Sequence, residues 1–255
     1  SKVSGETSVP ADVLAGHARQ VIDAGAAAGV LLRLTGGLGV LVRSRELGGL
    51  DVTARPFHDI DLVGRLRDVR GQDRLFGDLG FEPDRAVNAQ FGTIRRVYHH
   101  PSGFHVDVFL DRLEFCHRIE LVGRLDLHPT TLAPADLLLA KLQIVERNRK
   151  DLVDAALLLL NHDLVPADPS AIELDRILSI TADDWGFYTT ARDFLDVLEA
   201  SLPGLGFVGD AQARIGDRLR QLATAIDAAP KSFRWRARER VGRRVRWYRV
   251  VEEVL

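Results

Sequence analysis

The stretch RPFHDIDLVG, residues 55–64, places two aspartates, Asp59 and Asp61, inside an otherwise apolar run. The surrounding apolar residues predict a strand over residues 59–63. Side chains at positions i and i+2 of a strand point to the same face, so the two carboxylates stand side by side. Because both are negative, the pair raises the question of which positive charge compensates it.

A strand, a glycine turn and a helix are predicted upstream of this aspartate pair. The segment GVLLRLTGG, residues 29–37, reads as a short buried strand that runs into Gly36 and Gly37, and LGVLVRSREL reads as a helix directly after them. Glycines without a Cβ allow the backbone to approach a ligand closely, and a following helix offers free N–H groups to an anion. We therefore expect Gly36 and Gly37 to lie at an anion site.

A third carboxylate, Asp107, lies downstream in the apolar segment FHVDVFL. We predict strands over this segment and over residues 93–100 and 118–128, and helices over residues 10–28 and 68–79. Three carboxylates on adjacent strands indicate a divalent metal site. The period-2 rule places His105 on the same face as Asp107, whereas the other histidines of residues 99–128 lack the paired spacing of zinc ligands.

Helices dominate the prediction from Pro129 onward. Apolar residues recur at helical spacing in five segments: residues 130–148, 150–163, 183–202, 210–227 and 231–250. The expected fold class is α+β. We expect residues 1–128 to form one domain with a mixed sheet and flanking helices, the domain that carries the three aspartates, and residues 129–255 to form a helical domain that ends in a basic helix.

Composition is that of an ordinary globular protein, with 255 residues of which 46% are hydrophobic and 27% charged. The apolar runs are much shorter than the ~20 residues of a membrane span. Residues 1–16 lack the apolar core of a signal peptide. We therefore expect a cytoplasmic protein without a membrane partner, in which the single cysteine, Cys116, is a buried thiol.

Positive charge is concentrated at the end of the chain. Residues 231–255 carry nine Lys or Arg against three Glu, a net charge of +6 that leaves −8 for the rest. The arginines alternate with four aromatic residues, Phe233, Trp235, Trp247 and Tyr248. One interpretation is an RNA-binding face in which aromatics stack on unpaired bases and phosphates are contacted by Arg236, Arg240, Arg243 and Arg244. The other is an amphipathic helix with solvated arginines, docked through Ala237, Val241, Val245 and Tyr248.

The order of the glycine turn, the Asp-x-Asp strand and the third aspartate resembles the pattern of the nucleotidyltransferase superfamily. The matching residues are Gly36, Gly37, Asp59, Asp61 and Asp107. The resemblance implies that the three aspartates are catalytic and bind Mg²⁺ in a two-ion site, and that the glycines hold the triphosphate of an NTP. Mg²⁺ would also relieve the repulsion between Asp59 and Asp61.

A second segment, residues 132–159, is similar to AbiEii-type nucleotidyltransferases, which include the MenT-type toxins. The matching residues are Lys141, Arg147, Lys150, Asp151 and Asp154. The resemblance implies that Lys141 and Asp151 contact the NTP. Lys141 lies in an apolar helix stripe, where a charge is costly unless it meets a carboxylate or phosphate, although it could also snorkel to the surface. We expect Asp154 to be structural and Arg55, before the aspartate pair, to contact phosphate.

The resemblance as a whole implies an enzyme that transfers a nucleoside monophosphate from an NTP to an acceptor hydroxyl and releases pyrophosphate. AbiEii-like proteins are toxins of toxin–antitoxin pairs, and MenT-type members modify the 3′ end of tRNA. The expected partners are therefore tRNA or another RNA acceptor and a cognate antitoxin. Two alternatives stay open: an aminoglycoside-type enzyme with an acidic acceptor cleft, and an inactive RNA- or protein-binding descendant, against which the complete aspartate trio argues.

Overall fold

The computed structural model describes residues 9–51 and 57–250. The described residues include nine strands: β1 Leu32–Leu34, β2 Asp59–Gly64, β3 Glu82–Pro83, β4 Arg95–His99, β5 His105–Leu110, β6 Arg112–Glu114, β7 Arg118–Glu120, β8 Leu164–Val165 and β9 Ile172–Glu173. They also include ten α-helices: α1 Ala11–Ala27, α2 Gly36–Arg43, α3 Val69–Asp78, α4 Arg85–Phe91, α5 Pro134–Leu142, α6 Arg149–Asn161, α7 Leu174–Thr181, α8 Trp185–Ser201, α9 Asp210–Ala228 and α10 Phe233–Glu239.

The chain divides into two compact units that interleave along the sequence. The first comprises residues 1–42, 51–113 and 120–132, and the second comprises residues 43–50, 114–119 and 133–255. The sequence-based boundary between residues 128 and 129 stays a prediction.

A five-stranded mixed sheet organises the first unit. Its strand order is β1-β2-β5-β4-β3, in which β2 and β5 are parallel and the other neighbouring pairs are antiparallel. The neighbouring interior strands β2 and β5 carry the Asp-x-Asp pair and the third aspartate. The predicted α+β class with a mixed sheet and flanking helices is therefore confirmed.

One face of this sheet forms the core of the first unit. Ile60, Leu62, Val106 and Val108 alternate with the acidic positions, and they form one apolar cluster with residues of α1 and α3. Because side chains alternate between faces, the residues at positions 59, 61, 105 and 107 point to the opposite face. The apolar cluster thus fixes which face carries the acidic side chains.

Helices form most of the second unit. The leucine-rich helix α6 packs against α5 and α9, and its residues from Leu157 to Leu160 are buried. Asn148 and Asp151 form a capping box at its start, since the Asn148 side chain accepts from the Asp151 backbone N–H and the Asp151 carboxylate accepts from the Asn148 N–H. Strands β8 and β9 also belong to this unit, and they form a parallel pair that is two residues long.

Three predicted elements are wrong in extent. The helix predicted over residues 130–148 covers only Pro134–Leu142. The strand predicted over residues 118–128 covers only Arg118–Glu120. In the basic tail, helix α10 ends at Glu239, and Gly242 adopts a φ of +59°, which a regular α-helix excludes. Val241 and Val245 are 40% and 59% exposed, so the predicted docking of a continuous helix through them is wrong.

Helices α4 and α7 were not predicted. They have seven and eight residues, so each offers few repeats of the helical period to recognise. Within the described part of the chain, no helix has the length and apolar character needed to cross a membrane.

Candidate active site

The parallel pairing of β2 and β5 brings the predicted catalytic aspartates onto one face of the sheet. Asp61 lies opposite Asp107, and Asp59 lies opposite His105. Strand alternation then aims all four side chains to the same side. The grouping of Asp59, Asp61 and Asp107 expected from their sequence order is present, and His105 is its fourth member.

Three of these side chains have the spacing of ligands around one cation. One ligand atom each from Asp59, His105 and Asp107 lie within 4.8 Å of one another. Within residues 9–51 and 57–250 this is the one group of three or more such side chains with that geometry. Asp61 is not among these three, although it is the neighbour of Asp107 in the strand register.

Asp61 instead lies against the start of helix α2. Gly36, the first residue of that helix, has a φ of +63°, and a Cβ on it would lie 2.0 Å from Oδ2 of Asp61. The Thr35 backbone N–H donates to the Asp61 carbonyl oxygen at 2.8 Å. The position therefore requires glycine for two reasons, the left-handed backbone and the close approach to a carboxylate. Gly37 follows as the second residue of α2, at the positive end of the helix dipole.

Two basic side chains compensate the negative charge of this cluster. Arg95 on β4 donates from Nε and one terminal nitrogen to both oxygens of Asp107, at 3.0 and 2.9 Å. Nε2 of His105 lies 3.7 Å from Oδ2 of Asp107. The compensation that the sequence interpretation assigned to Mg²⁺ is therefore supplied in part by the protein itself.

Arg95 was not recognised from the sequence. The alternation within residues 95–99 places Arg95 on the face of Val97, and the β4–β5 register pairs Val97 with Asp107. That register is a property of the folded sheet, so the local sequence offered only the alternation as a signal.

The pKa values of the cluster reflect its crowding. Burial raises the pKa of Asp59, and the nearby Asp107 raises it further, against the opposite effects of His105 and His58. The interaction with the nearby Asp107 carboxylate raises the pKa of His105 against the opposite effect of burial, and the charges of Asp59 and Asp61 raise it further. All three carboxylates therefore act electrostatically on the His105 imidazole.

The chemistry of the donor set fits a divalent cation. Asp107 is 4% exposed, and Asp59 and His105 are half-buried, so the ligand atoms are already partly desolvated and held in place. Arg95 fixes the orientation of the Asp107 carboxylate, as outer partners of metal ligands commonly do. The carboxylates suit Mg²⁺, whereas an imidazole lies outside its usual preference for oxygen.

The second predicted group, around Lys141, forms a buried ion-pair cluster between α5 and α6. Its Nζ lies 3.1 Å from Asp151 Oδ1 and 2.8 Å from Asp154 Oδ2. Burial alone would lower the pKa of Lys141, but the two carboxylates raise it above its ordinary value. Lys141 therefore meets carboxylates in this structure and does not snorkel into solvent. Asp154 is fully buried, as expected for a structural residue.

The predicted RNA-contacting arginines, Arg236, Arg240, Arg243 and Arg244, are all exposed. Arg243 donates to Asp193 at 2.6 Å and lies 4.9 Å from the ring centroid of Trp247. Arg55, the remaining candidate phosphate contact, lies outside the described residues.

Comparisons with known proteins provide little further information. The sequence matches no protein-family model, and no curated protein matches it. The solved structures to which it is similar include a crystal structure of an antigenic nucleotidyltransferase-like protein from Paracoccidioides brasiliensis. The two share 15% identity over 89% of this chain and 97% of the other, with a TM-score of 0.45. So low a similarity carries no inference about activity, and the site geometry has to support any function on its own.

Proposed function

We propose that this protein is a metal-dependent nucleotidyltransferase that moves a nucleoside monophosphate from an NTP to an acceptor hydroxyl. The observation that carries the proposal is the strand register: Asp59 and Asp61 on β2 face the same side as Asp107 on the adjacent parallel strand. Gly36 at the start of helix α2 lies directly against this group. Carboxylates next to a helix N-terminus bring together the groups that hold a cation and a phosphate.

The reaction exchanges one phosphorus–oxygen bond for another. The acceptor oxygen attacks the α-phosphorus, the bond from that phosphorus to the bridging oxygen breaks, and pyrophosphate leaves. Asp59, Asp61 and Asp107 would hold the divalent ions of the two-ion Mg²⁺ site that the family resemblance implies. When bound, such ions stabilise the attacking and leaving oxygens of an in-line displacement.

The hydroxyl proton needs an acceptor near the attacking oxygen. Asp107 takes this role in the proposal through a lone pair that its two hydrogen bonds from Arg95 leave open. Both bonds are charge-assisted, so Arg95 controls the availability of that carboxylate.

NTP binding is assigned to Gly36, Gly37, Arg55, Lys141 and Asp151. Gly36 and Gly37 offer backbone at the positive end of α2. Lys141 keeps the role that the family resemblance implies; within its own unit it is paired with Asp151 and Asp154, so binding a phosphate requires it to leave one of these carboxylates. The Asp151 carboxylate orients that lysine while it caps α6.

The proposed acceptor is RNA, with the 3′ end of tRNA as the first choice, and the proposed biological role is that of a toxin with a cognate antitoxin. The exposed arginines of residues 234–246 support an RNA acceptor through charge complementarity. Phe233 adds an aromatic surface for base stacking, since it is 81% exposed next to Arg234 and Arg236.

An acceptor screen tests this proposal. The protein is incubated with each α-labelled NTP and a divalent cation, together with total RNA in one arm and an aminoglycoside panel in the other. We expect label on RNA of tRNA size. Label on an aminoglycoside would favour the small-molecule alternative, and no label on any acceptor would support an inactive descendant.

A salt series tests the contribution of the tail to RNA binding. Changing Arg236, Arg240, Arg243 and Arg244 together to Gln should weaken binding to a tRNA-like hairpin. It should also flatten the log–log salt slope by up to about 0.9 per lost phosphate contact. Phe233→Ala should weaken binding at an unchanged slope, because stacking releases no counterions. Parental affinity and slope in the Gln variant would contradict a phosphate-binding tail.

A further inference from the structure

The imidazole of His105 lies among the carboxylates of the candidate metal site. It lies opposite Asp59 in the strand register, and its Nε2 lies 3.7 Å from Asp107. Ligand atoms at ~2.1 Å from one ion are at most ~4.2 Å apart. The ligand atoms of Asp59, His105 and Asp107 lie within 4.8 Å of one another, so they need to move only slightly closer together to bind one ion.

The orientation of this donor set is built into the sheet. Asp107 is buried and held by two hydrogen bonds from Arg95, and His105 and Asp107 are two residues apart on one strand. A carboxylate has about four lone-pair sites, so Asp107 can accept from Arg95 and still bind a cation. His105 itself is half-buried, on a face whose direction is fixed by the apolar cluster behind the sheet.

We propose that His105 coordinates a cation together with Asp59 and Asp107, and that the site therefore selects a divalent first-row transition ion such as Mn²⁺ over Mg²⁺. Two carboxylates and one imidazole combine ligands that suit Mn²⁺ with one that Mg²⁺ binds poorly. This inference rests on the proposed function, because it specifies the cation of the same site. It differs from the all-carboxylate Mg²⁺ site expected from the sequence.

Metal binding by the full chain, without nucleotide, tests the inference. Mn²⁺ is titrated into metal-free protein and the bound ion is followed by electron paramagnetic resonance, with Mg²⁺ as the competitor. Pulsed measurements then detect the magnetic coupling between bound Mn²⁺ and a coordinating nitrogen. The variant is His105→Gln, and the matched control is His99→Gln, which removes an imidazole whose centroid lies 6.1 Å from that of His105.

The parent should bind Mn²⁺ more tightly than Mg²⁺ and show nitrogen coupling. His105→Gln should lose that coupling and at least ~10-fold in Mn²⁺ affinity, since even an outer partner of a ligand contributes that much. Its Mg²⁺ affinity should change less, and His99→Gln should behave as the parent. Melting curves establish that each variant is folded.

Bound Mn²⁺ without nitrogen coupling in the parent would overturn the inference, whether or not His105→Gln folds. His105 would then be only an ion-pair partner of Asp107. That result would leave the nucleotidyltransferase proposal intact, because the acceptor screen measures transfer with any divalent cation. Conversely, nitrogen coupling without transfer to any acceptor would support the metal site and contradict the proposed reaction.

Discussion

Asp59 carries its charge in a half-buried position beside a second carboxylate, and this environment raises its pKa. A carboxylate whose pKa is raised by folding destabilises the folded state at every pH above its unfolded value, because the folded protein then holds an unfavourable charge. The carboxylates around Asp59 therefore do not stabilise the fold, and such an arrangement is typical of functional sites.

Asp59→Asn should consequently melt at the same or a higher temperature than the parent at pH 7 in the absence of metal. Asn keeps the size of the side chain and removes the charge. Thermal unfolding at pH 7 measures the effect, and Asp126→Asn is the matched control, since Asp126 is an exposed partner of Arg65 in the same unit. A clear drop in the melting temperature for Asp59→Asn alone would contradict the assigned repulsion.

Gly36 gives a second prediction for a single residue, with Gly29 as its control. Both have a positive φ, of +63° and +73°, but a Cβ on Gly29 meets no atom within 4 Å. Gly29→Ala should cost about 1–2 kcal/mol of backbone strain. Gly36→Ala should cost about 1–3 kcal/mol more, because Asp61 must move, and it should also impair transfer. Equal losses in denaturant unfolding would show that Asp61 does not need the glycine.

The basic tail shows how an element can differ from its sequence pattern. Its apolar residues have helical spacing, yet α10 ends at Glu239, and the Arg238 side chain donates to the carbonyls of Gly242 and Val245. Trp235, 6% exposed, anchors the helix, and Trp247 reaches Thr190 with its indole N–H at 3.1 Å. The tail is attached by tryptophans and not by a valine stripe.

Trp235→Ala should therefore destabilise the protein by about 3–5 kcal/mol, the usual effect of truncating a buried tryptophan. Val245→Asp should stay within about 0.5 kcal/mol of the parent, because the side chain is 59% exposed. Urea unfolding of the two variants distinguishes these outcomes. If Val245→Asp destabilised the protein more than Trp235→Ala, the result would support a tail that docks through its valines as a continuous helix.

Local sequence patterns predicted those elements whose apolar pattern extends over many residues or has clear boundaries. Helix α1, the strand–glycine–helix unit and strands β2 and β5 follow from such patterns. The role of Arg95 could not be predicted, because it depends on the register between β4 and β5. The continuous helix expected over residues 231–250 is wrong because Gly242, within the apolar spacing, adopts a left-handed backbone conformation that interrupts a helix.

Stability of the whole molecule should depend on a buried histidine that is not part of the candidate site. Burial lowers the pKa of His117 to about 4, and its Nε2 lies 2.8 Å from the Thr190 hydroxyl. Below pH 6.5 the unfolded chain binds a proton at this residue, and the folded protein does so only near pH 4. This histidine should therefore reduce the free energy of unfolding as the pH falls from 6.5 to 4.

The reduction should approach about 1.4 kcal/mol per pH unit within that window. His117→Gln removes the titrating group, so its free energy of unfolding should vary less with pH than that of the parent. Denaturant unfolding at several pH values between 4 and 7 measures both slopes. Identical slopes would mean that His117 is protonated in the folded protein, contrary to its burial.

Transfer of label from an α-labelled NTP to RNA, compared between the parent and the variants Asp59→Asn and Asp61→Asn, tests the central claim most directly. We expect metal-dependent transfer by the parent, a loss of at least ~100-fold in either variant, and parental rates for the control Asp126→Asn. Melting curves accompany each rate. Parental transfer by folded Asp59→Asn and Asp61→Asn would contradict the account, because neither carboxylate would then hold the cation on which the reaction depends.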